Sequence, residues 1–318
     1  MMSNVNFSLT QLEYVLAVHR HGHFAKAAES CHVTQPTLSM QIQKLEDELG
    51  IVIFDRSKKP ILLSAMGKRV IEQMQTVLFE AKKIDSIIKS GQSSAIAGEL
   101  SVGVIPTIAP YLLPLLLPLL EKKFPELSLK LFEMQTERII DSLQSDEIDV
   151  GILAIPLKHP KIFERSLYFE PFSLLCKKDH ELAHYKKVKH SHLKFSDLWL
   201  LEEGHCLRNQ VIDICSTKQG KAAQKKFQFE SGSLETLKNI IDRYGGYTLL
   251  PALAADQYGD KSQLVPFERP IPAREIGLVF QREHYKSQLI DSIWSAIKEA
   301  IPDDLRKLKQ KDLDVIDI

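Results

Sequence analysis

Residues 24–50 hold the pattern that most narrows what this chain can fold into. Phe24-Ala25-Lys26-Ala27-Ala28-Glu29-Ser30 is a short helix whose small residues permit close packing against a neighbour, and the tight connection Cys31-His32-Val33-Thr34 follows it. An amphipathic helix then runs from Gln35 to Leu49 and is closed by Gly50, with Pro36 in the first turn, where its missing N–H costs nothing. Leu38, Ile42, Leu45 and Leu49 form the expected buried stripe. Gln35, Thr37, Ser39, Gln41 and Lys44 are left for the N-terminal turn and the outer face. An earlier helix carries Leu9, Leu12, Val15, Leu16 and His19 at helical spacing, with Ser8 as cap, Gln11 three positions on and Gly22 as stop. Helix, short helix, turn and amphipathic helix is the arrangement that presents the first residues of its last helix to the major groove of DNA. Amides such as Gln35 and Gln41 can pair with adenine, whereas hydroxyls and Lys44 suit phosphates and guanine.

Ile51–Phe54 and Ile61–Leu63 flank Asp55-Arg56-Ser57-Lys58-Lys59-Pro60, which predicts two strands around a basic turn. That is a wing, with Arg56, Lys58 and Lys59 placed to reach the DNA backbone or minor groove. The competing expectation is a small helical bundle with a solvated charged loop. Residues 1–65 carry six basic and six acidic side chains, so charge excess does not decide between the two; the order of elements does.

From Ser64 to about Ser90 the chain reads as one long helix, with Val70, Met74, Val77, Leu78, Ala81, Ile84 and Ile88 apolar at near-heptad spacing. Such a stripe asks for a partner helix and predicts a homo-oligomer. Residues 90–98 read as a flexible linker. Beyond them strands and helices alternate: strand Glu99–Ile105, helix 108–123, strand Leu127–Met134, helix Glu137–Gln144 and strand Val150–Ile155. This βαβαβ order predicts a parallel, doubly wound sheet. A second set begins at Phe172 and includes a helix over Ser233–Arg243 and a strand over Tyr247–Leu250. The chain returns with a strand over Glu275–Phe280 and a helix from about Lys286 to Ala300. Two α/β lobes with crossing segments, Ile155–Pro160 among them, predict a hinged cleft suited to a small ligand. The charged tail Lys307–Ile318 is expected to fray.

The chemistry concentrates in Gly204-His205-Cys206-Leu207-Arg208 and in Cys215, nine positions after Cys206. His205 and Arg208 flank Cys206 and could favour its thiolate, the form that attacks peroxides and disulfides. Cys215 lies within chain reach and could resolve an oxidised Cys206 as a disulfide. Were the intervening residues helical, the two Cα atoms would stand roughly 13 Å apart at about 1.5 Å per residue. A disulfide needs about 7 Å or less, so oxidation would have to unwind the segment. Two inert, buried thiols remain the alternative. A metal site from His205, Cys206 and Cys215 lacks the close Cys-x-x-Cys spacing, and no metal or other cofactor is expected. Cys31 and Cys176 lie in apolar surroundings and read as inert core thiols.

Composition sets outer limits. The chain has 318 residues, 44% of them apolar and 26% charged, which suits two or three globular domains. Four cysteines are too few for a disulfide scaffold, so a reducing cytoplasm is the default compartment. The greasiest run, Leu112–Leu120, is short and contains two prolines; no membrane association is expected. With 41 basic and 41 acidic residues, any contact to double-stranded DNA must come from local placement of charge.

From Leu9 to about Ala300 the chain resembles the LysR-type transcriptional regulators. The stretch Phe24–Ala28 through Val33–Ser39 matches that family's helix-turn-helix. Gly204–Arg208, Cys215, Ile105-Pro106-Thr107, Pro110–Pro114, Ser233–Leu237 and Thr248–Ala254 are similar to the peroxide-sensing branch within it.

The resemblance implies an α/β protein that is not an enzyme. Its parts would be a winged helix-turn-helix over 1–65, a dimerisation helix and hinge over 66–97, and a two-lobed regulatory domain over 98–318, similar in plan to periplasmic binding proteins. It implies that Cys206 is the peroxidatic and Cys215 the resolving cysteine, joined by a disulfide after oxidation. Thr107 and Thr136 would position hydrogen peroxide, and His205 and Arg274 would support the thiolate. It further implies a dimer or tetramer on DNA, a thiol reductant such as glutaredoxin or thioredoxin, and contact with RNA polymerase. A LysR-type regulator answering to a small metabolite in the cleft, with incidental cysteines, is the alternative; a thiol peroxidase is disfavoured by the winged domain. Two departures stand out. Gly232 occupies a position where a threonine is expected, and His23 starts the second helix, so base preference does not carry over.

Overall fold

The computed structural model describes residues 7–90, 97–215, 231–281 and 286–318, with backbone alone at 79, 82, 83 and 85–90. The chain divides into two compact units, Met1–Ser94 and Ala95–Ile318.

The first unit contains α1 (Leu9–His21), α2 (Phe24–Ser30), α3 (Gln35–Leu49), β1 (Phe54–Asp55), β2 (Leu62–Leu63) and α4 (Ala65–Ser90). Its helix ends follow local chemistry. Ser8 and Gln11 form the reciprocal capping box of α1, the Ser8 N–H donating to Gln11 Oε1 at 2.8 Å and the Gln11 N–H to Ser8 Oγ at 3.2 Å. Gly22 and Gly50 close α1 and α3 in the left-handed region, at φ 59° and 66°. Leu12, Val15, Val18, Ala27, Leu38, Ile42 and Leu45 make the core, and Ile71, Met74 and Leu78 of α4 complete it. The amino-terminal part of α4 thus covers its own unit, while Ile84 is exposed. Leu49, assigned to the buried stripe of α3, is exposed at the helix end, as is Leu9 at the start of α1. The wing strands are two residues each, shorter than expected, and pair antiparallel as Phe54↔Leu63 and Asp55↔Leu62.

The second unit runs β3 (Gly98–Val104), α5 (Ala109–Lys123), β4 (Leu127–Glu133), α6 (Thr136–Gln144), β5 (Val150–Ile155), β6 (Ile162–Cys176), α7 (Cys206–Cys215), α8 (Leu234–Tyr244), β7 (Tyr247–Pro251), α9 (Ala252–Asp256), β8 (Leu264–Pro266), β9 (Ile271–Gln281), α10 (Ser287–Ala300), α11 (Asp303–Arg306) and β10 (Leu313–Val315). Its sheet order is β4-β3-β5-β9-β6-β7, with β10 beside β9 and β8 beside β6. Only β4-β3-β5 and the β10–β9 pair are parallel. The pairs β5–β9, β9–β6, β6–β7 and β6–β8 are antiparallel, so the sheet is mixed where a parallel one was expected. The sequence order βαβαβ determines only the first three strands; the returning β9 enters from the far side of the chain and runs the other way.

The crossing between lobes is made by β6 and β9, not by Ile155–Pro160. Strand β6 begins at Ile162, ten residues before the expected Phe172, and pairs with β9 through Pro171. It then continues to pair with β7 and β8. The tail is not frayed: Leu313, Asp314 and Val315 pair with Ile271, Pro272 and Ala273, and the Ile316 N–H donates to the Ala273 carbonyl at 2.8 Å. Three apolar residues among the tail's charges suffice to dock it on an open strand. The expected linker over 90–98 falls largely outside the described residues, and Gly98 already opens β3.

Candidate functional site

In the second unit α7 opens on Cys206 and is regular through Cys215, so both thiols lie on one helix. Nine residue steps at about 1.5 Å separate their Cα atoms by roughly 13 Å, beyond the reach of about 7 Å that a disulfide allows. Both cysteines are free. Cys215 is buried, its Sγ 4.0 Å from the Tyr247 hydroxyl, which donates to the Lys194 carbonyl at 2.9 Å and is left to accept from the thiol. Burial pushes the Cys215 thiol up to about 12.

Around Cys206 burial is again the largest influence and holds the thiol above its usual range. Four groups oppose it: the Arg274 charge, the Thr136 hydroxyl, and the N–H groups of Leu207 and Cys206 itself. The last two are the free N–H groups of a helix start, which favour negative charge. Thr136, first residue of α6, has its Oγ1 buried with no well-formed hydrogen bond to any described group, so it has capacity to spare for a ligand.

Arg274 of β9 is wholly buried and is the fixed cation of the site. Its Nε donates to Glu170 Oε2 at 2.8 Å, its Nη1 to Thr107 Oγ1 at 2.9 Å and its Nη2 to the Thr107 carbonyl at 3.3 Å. Because the Thr107 hydroxyl accepts from Arg274, its own proton is available to donate elsewhere. Glu170 also receives the Leu253 N–H at 3.0 Å. Glu170 could not be found from sequence, since its only signal is the strand register that sets it opposite Arg274.

The expected flanking cations act differently. Arg208 donates to the Leu201 carbonyl at 2.9 Å, and Arg274 is the cation that opposes the rise of the Cys206 thiol. His205 is buried, with Nε2 at 3.4 Å from Gln135 Nε2 and 3.7 Å from Glu202 Oε1. It faces a cavity of about 450 Å³ between the lobes, whose wall also includes Pro106, Gln135, Glu202 and Gly232. Cys176 is buried, its thiol pushed up to about 11 by burial. Cys31 is half-buried at the end of α2, packed against the core of the first unit.

In the first unit Gln35, Pro36, Thr37 and Lys44 are exposed on α3, and Ser39 is half-buried. Gln41 is turned inward, its Oε1 accepting from Gln11 Nε2 of α1 at 3.3 Å. Arg56 is likewise occupied: it pairs with Glu46 at 2.8 Å and lies 5.2 Å over the Phe24 ring. Glu46 is buried and its other oxygen accepts the Ile53 and Phe54 N–H groups, which ties the wing to α3. Lys58 and Lys59 stay exposed at the wing tip. Met40, not singled out by sequence, is 62% exposed on α3, between Thr37 and Lys44.

Two family models match the chain: the bacterial regulatory helix-turn-helix protein of the lysR family over residues 9–68, and the LysR substrate binding domain over residues 93–302. The chain is 40% identical over 293 residues to the hydrogen peroxide-inducible genes activator of Dickeya chrysanthemi, covering 90% of this chain and 94% of that one. It is 40% identical over 276 residues to the DNA-binding transcriptional dual regulator OxyR of Escherichia coli K12, covering 86% and 89%. Among solved structures, a full-length OxyR variant from Pseudomonas aeruginosa aligns with a TM-score of 0.80 and 33% identity, over 96% of this chain and 99% of that chain.

Proposed function

The chain belongs to the LysR family of bacterial transcriptional regulators, and from that premise we propose that it is a hydrogen-peroxide-sensing, DNA-binding activator switched by Cys206 and Cys215. One observation carries this reading: the two thiols lie nine residues apart on the one helix α7, and only the first sits beside Arg274 and Thr136.

Cys206 loses its proton, and the thiolate attacks one oxygen of hydrogen peroxide. The O–O bond breaks, a sulfenic acid forms at Cys206, and the departing hydroxide takes up a proton to become water. Thr107, whose proton is available, and Thr136, whose buried hydroxyl lies beside Cys206, hold the peroxide. Arg274 stabilises the negative charge as it passes to the leaving oxygen. Cys215, deprotonated in turn, attacks the sulfenic sulfur; the S–S bond forms and a second water leaves. Closing roughly 13 Å to within about 7 Å requires α7 to unwind, and the altered lobe surface re-spaces the winged helices on DNA. Two electrons from a glutaredoxin- or thioredoxin-type dithiol restore both thiols.

Gln35, Pro36, Thr37, Ser39 and Lys44 read or grip DNA from α3, with Lys58 and Lys59 at the wing. A dimer or tetramer would match two-fold half-sites, and the activator role implies contact with RNA polymerase. Among the described residues no helix is long and apolar enough to cross a membrane; the cytoplasm is the proposed compartment. Single-cycle oxidation suits a regulator and not a turnover enzyme. The interlobe cavity keeps a second reading in play, a metabolite effector, which a ligand-induced thermal shift surviving Cys206→Ser would favour.

The test is one equivalent of hydrogen peroxide added to reduced protein, followed by disulfide mapping under non-reducing conditions. A Cys206–Cys215 peptide pair, absent in Cys206→Ser, is expected. Free thiols at both positions would remove the redox reading.

A further inference from the structure

We propose that Glu202 determines which oxidants reach Cys206: its carboxylate, in space left by Gly232, makes the approach to the thiol favour uncharged hydrogen peroxide over anionic oxidants. This rests on the reading of Cys206 as the peroxide-reactive thiol.

The cavity abuts the reactive group through the chain itself. Three of its wall residues, Pro106, Gln135 and His205, are the immediate neighbours in sequence of Thr107, Thr136 and Cys206. The cavity wall is thus built from the same three segments that carry Thr107, Thr136 and Cys206. The same wall carries three carboxylates, Glu133, Glu202 and Glu235, and among its described residues no lysine or arginine. Glu235 is already paired: it meets Lys238 at 2.7 Å and accepts from the Tyr111 hydroxyl at 2.5 Å. Glu133 is exposed on β4. Glu202 is the carboxylate turned to the buried His205, 3.7 Å from Nε2.

Its place depends on the absence of a side chain at position 232. A Cβ on Gly232 would stand 2.9 Å from Glu202 Oε1 and 3.3 Å from His205 Nε2. Any larger residue there forces the carboxylate to shift. The glycine's backbone needs no special conformation, so its role is one of room. A fixed negative charge next to the site costs nothing to a neutral peroxide and opposes an anion.

The experiment compares hydrogen peroxide with peroxymonosulfate, a small anionic oxidant of the same chemistry. With either, the thiolate takes the terminal peroxide oxygen, the O–O bond breaks, and hydroxide or sulfate departs with the electron pair. Second-order rate constants for Cys206 sulfenylation are measured by rapid quench and trapping in the full-length protein. The readout is the ratio of peroxymonosulfate to hydrogen peroxide rates, which cancels intrinsic reactivity between variants.

Glu202→Gln is expected to raise that ratio about three- to ten-fold, the effect of one charge at a partly solvated distance. Salt near 0.5 M should shrink the difference, since the Debye length falls to a few ångströms. Gly232→Thr should move the ratio in the same direction by displacing the carboxylate, whereas Glu203→Gln, an exposed neighbour outside the cavity wall, should leave it alone. A ratio unchanged in Glu202→Gln while hydrogen peroxide still oxidises Cys206 would overturn this inference and spare the peroxide reading. Failure of hydrogen peroxide to oxidise Cys206 in the unaltered protein would overturn both.

Discussion

Glu170 and Arg274 face each other across the β6–β9 ladder, both buried, with Glu170 Oε2 at 2.8 Å from Nε and 2.7 Å from Nη2. These are the two strands that join the lobes, so one ion pair fixes both the hinge region and the charge beside Cys206. Removing one partner leaves an uncompensated buried charge. Glu170→Ala is expected to cost about 3–5 kcal/mol of stability. Denaturant unfolding of the reduced protein measures it; a loss below about 1 kcal/mol would mean that water reaches Arg274 and that the pair is not dry.

Arg274→Met removes the charge with less structural damage when Glu170→Gln accompanies it. The double variant should fold, yet react with hydrogen peroxide about 10²-fold more slowly, the usual loss for one preorganised donor to a developing oxyanion. Stopped-flow oxidation at fixed pH reads this. An unaltered rate would assign Arg274 a purely structural role.

Unwinding of α7 is a separable claim. In Cys215→Ser the sulfenic acid should form at Cys206 and persist, with no disulfide to pull the helix apart. Hydrogen exchange at residues 207–215 should therefore rise on oxidation of the unaltered protein and stay slow in the variant. Equal protection in reduced and oxidised protein would show that the disulfide forms by another movement.

How far these parts could be read from sequence depends on the distance over which each is determined. The Ser8–Gln11 capping box, the Gly22 and Gly50 stops and the α3 core stripe through Leu38, Ile42 and Leu45 are local and were legible. Glu170, Gln41 and Arg56 were not, because their partners lie on other elements. Arg56 is an exposed wing cation, and its pairing with the buried Glu46 of α3 was not visible in sequence. The antiparallel β9 likewise depends on pairing with β5 and β6 across a hundred residues or more, and the docked β10 on pairing with a strand 42 residues earlier. The Cys206 motif was legible as chemistry, while its charge partner Arg274 was named only through the family resemblance: the fold alone brings it there, and the sequence neighbour Arg208 turns to a backbone carbonyl.

The pairing of Arg56 with the buried Glu46 separates two kinds of DNA-unit mutant. Arg56→Ala should lower stability, by leaving Glu46 buried without its cation, and weaken DNA binding only through that loss. Gln35→Ala should leave the unfolding midpoint in place and cost about 1–3 kcal/mol of specific binding. Thermal unfolding beside fluorescence anisotropy on operator DNA distinguishes them; the reverse pattern would place Arg56 on the DNA.

Alkaline pH offers a check on thiol burial. Cys176 and Cys215 have folded values pushed up to about 11 and about 12, against an unfolded thiol near 8.5. A raised value means that the folded state holds the proton more tightly. The stability each contributes is therefore complete below about pH 8.5 and is lost as pH rises towards the folded value. Reduced protein should unfold more readily with each step between pH 9 and 11, by a slope that Cys176→Ala and Cys215→Ala each reduce. Urea midpoints across that range, under a non-thiol reductant, measure the slope. If it were the same in both variants, the buried thiols would not be the groups that titrate, and the tyrosine network around Tyr247, raised by burial and by Cys215, would be the next candidate.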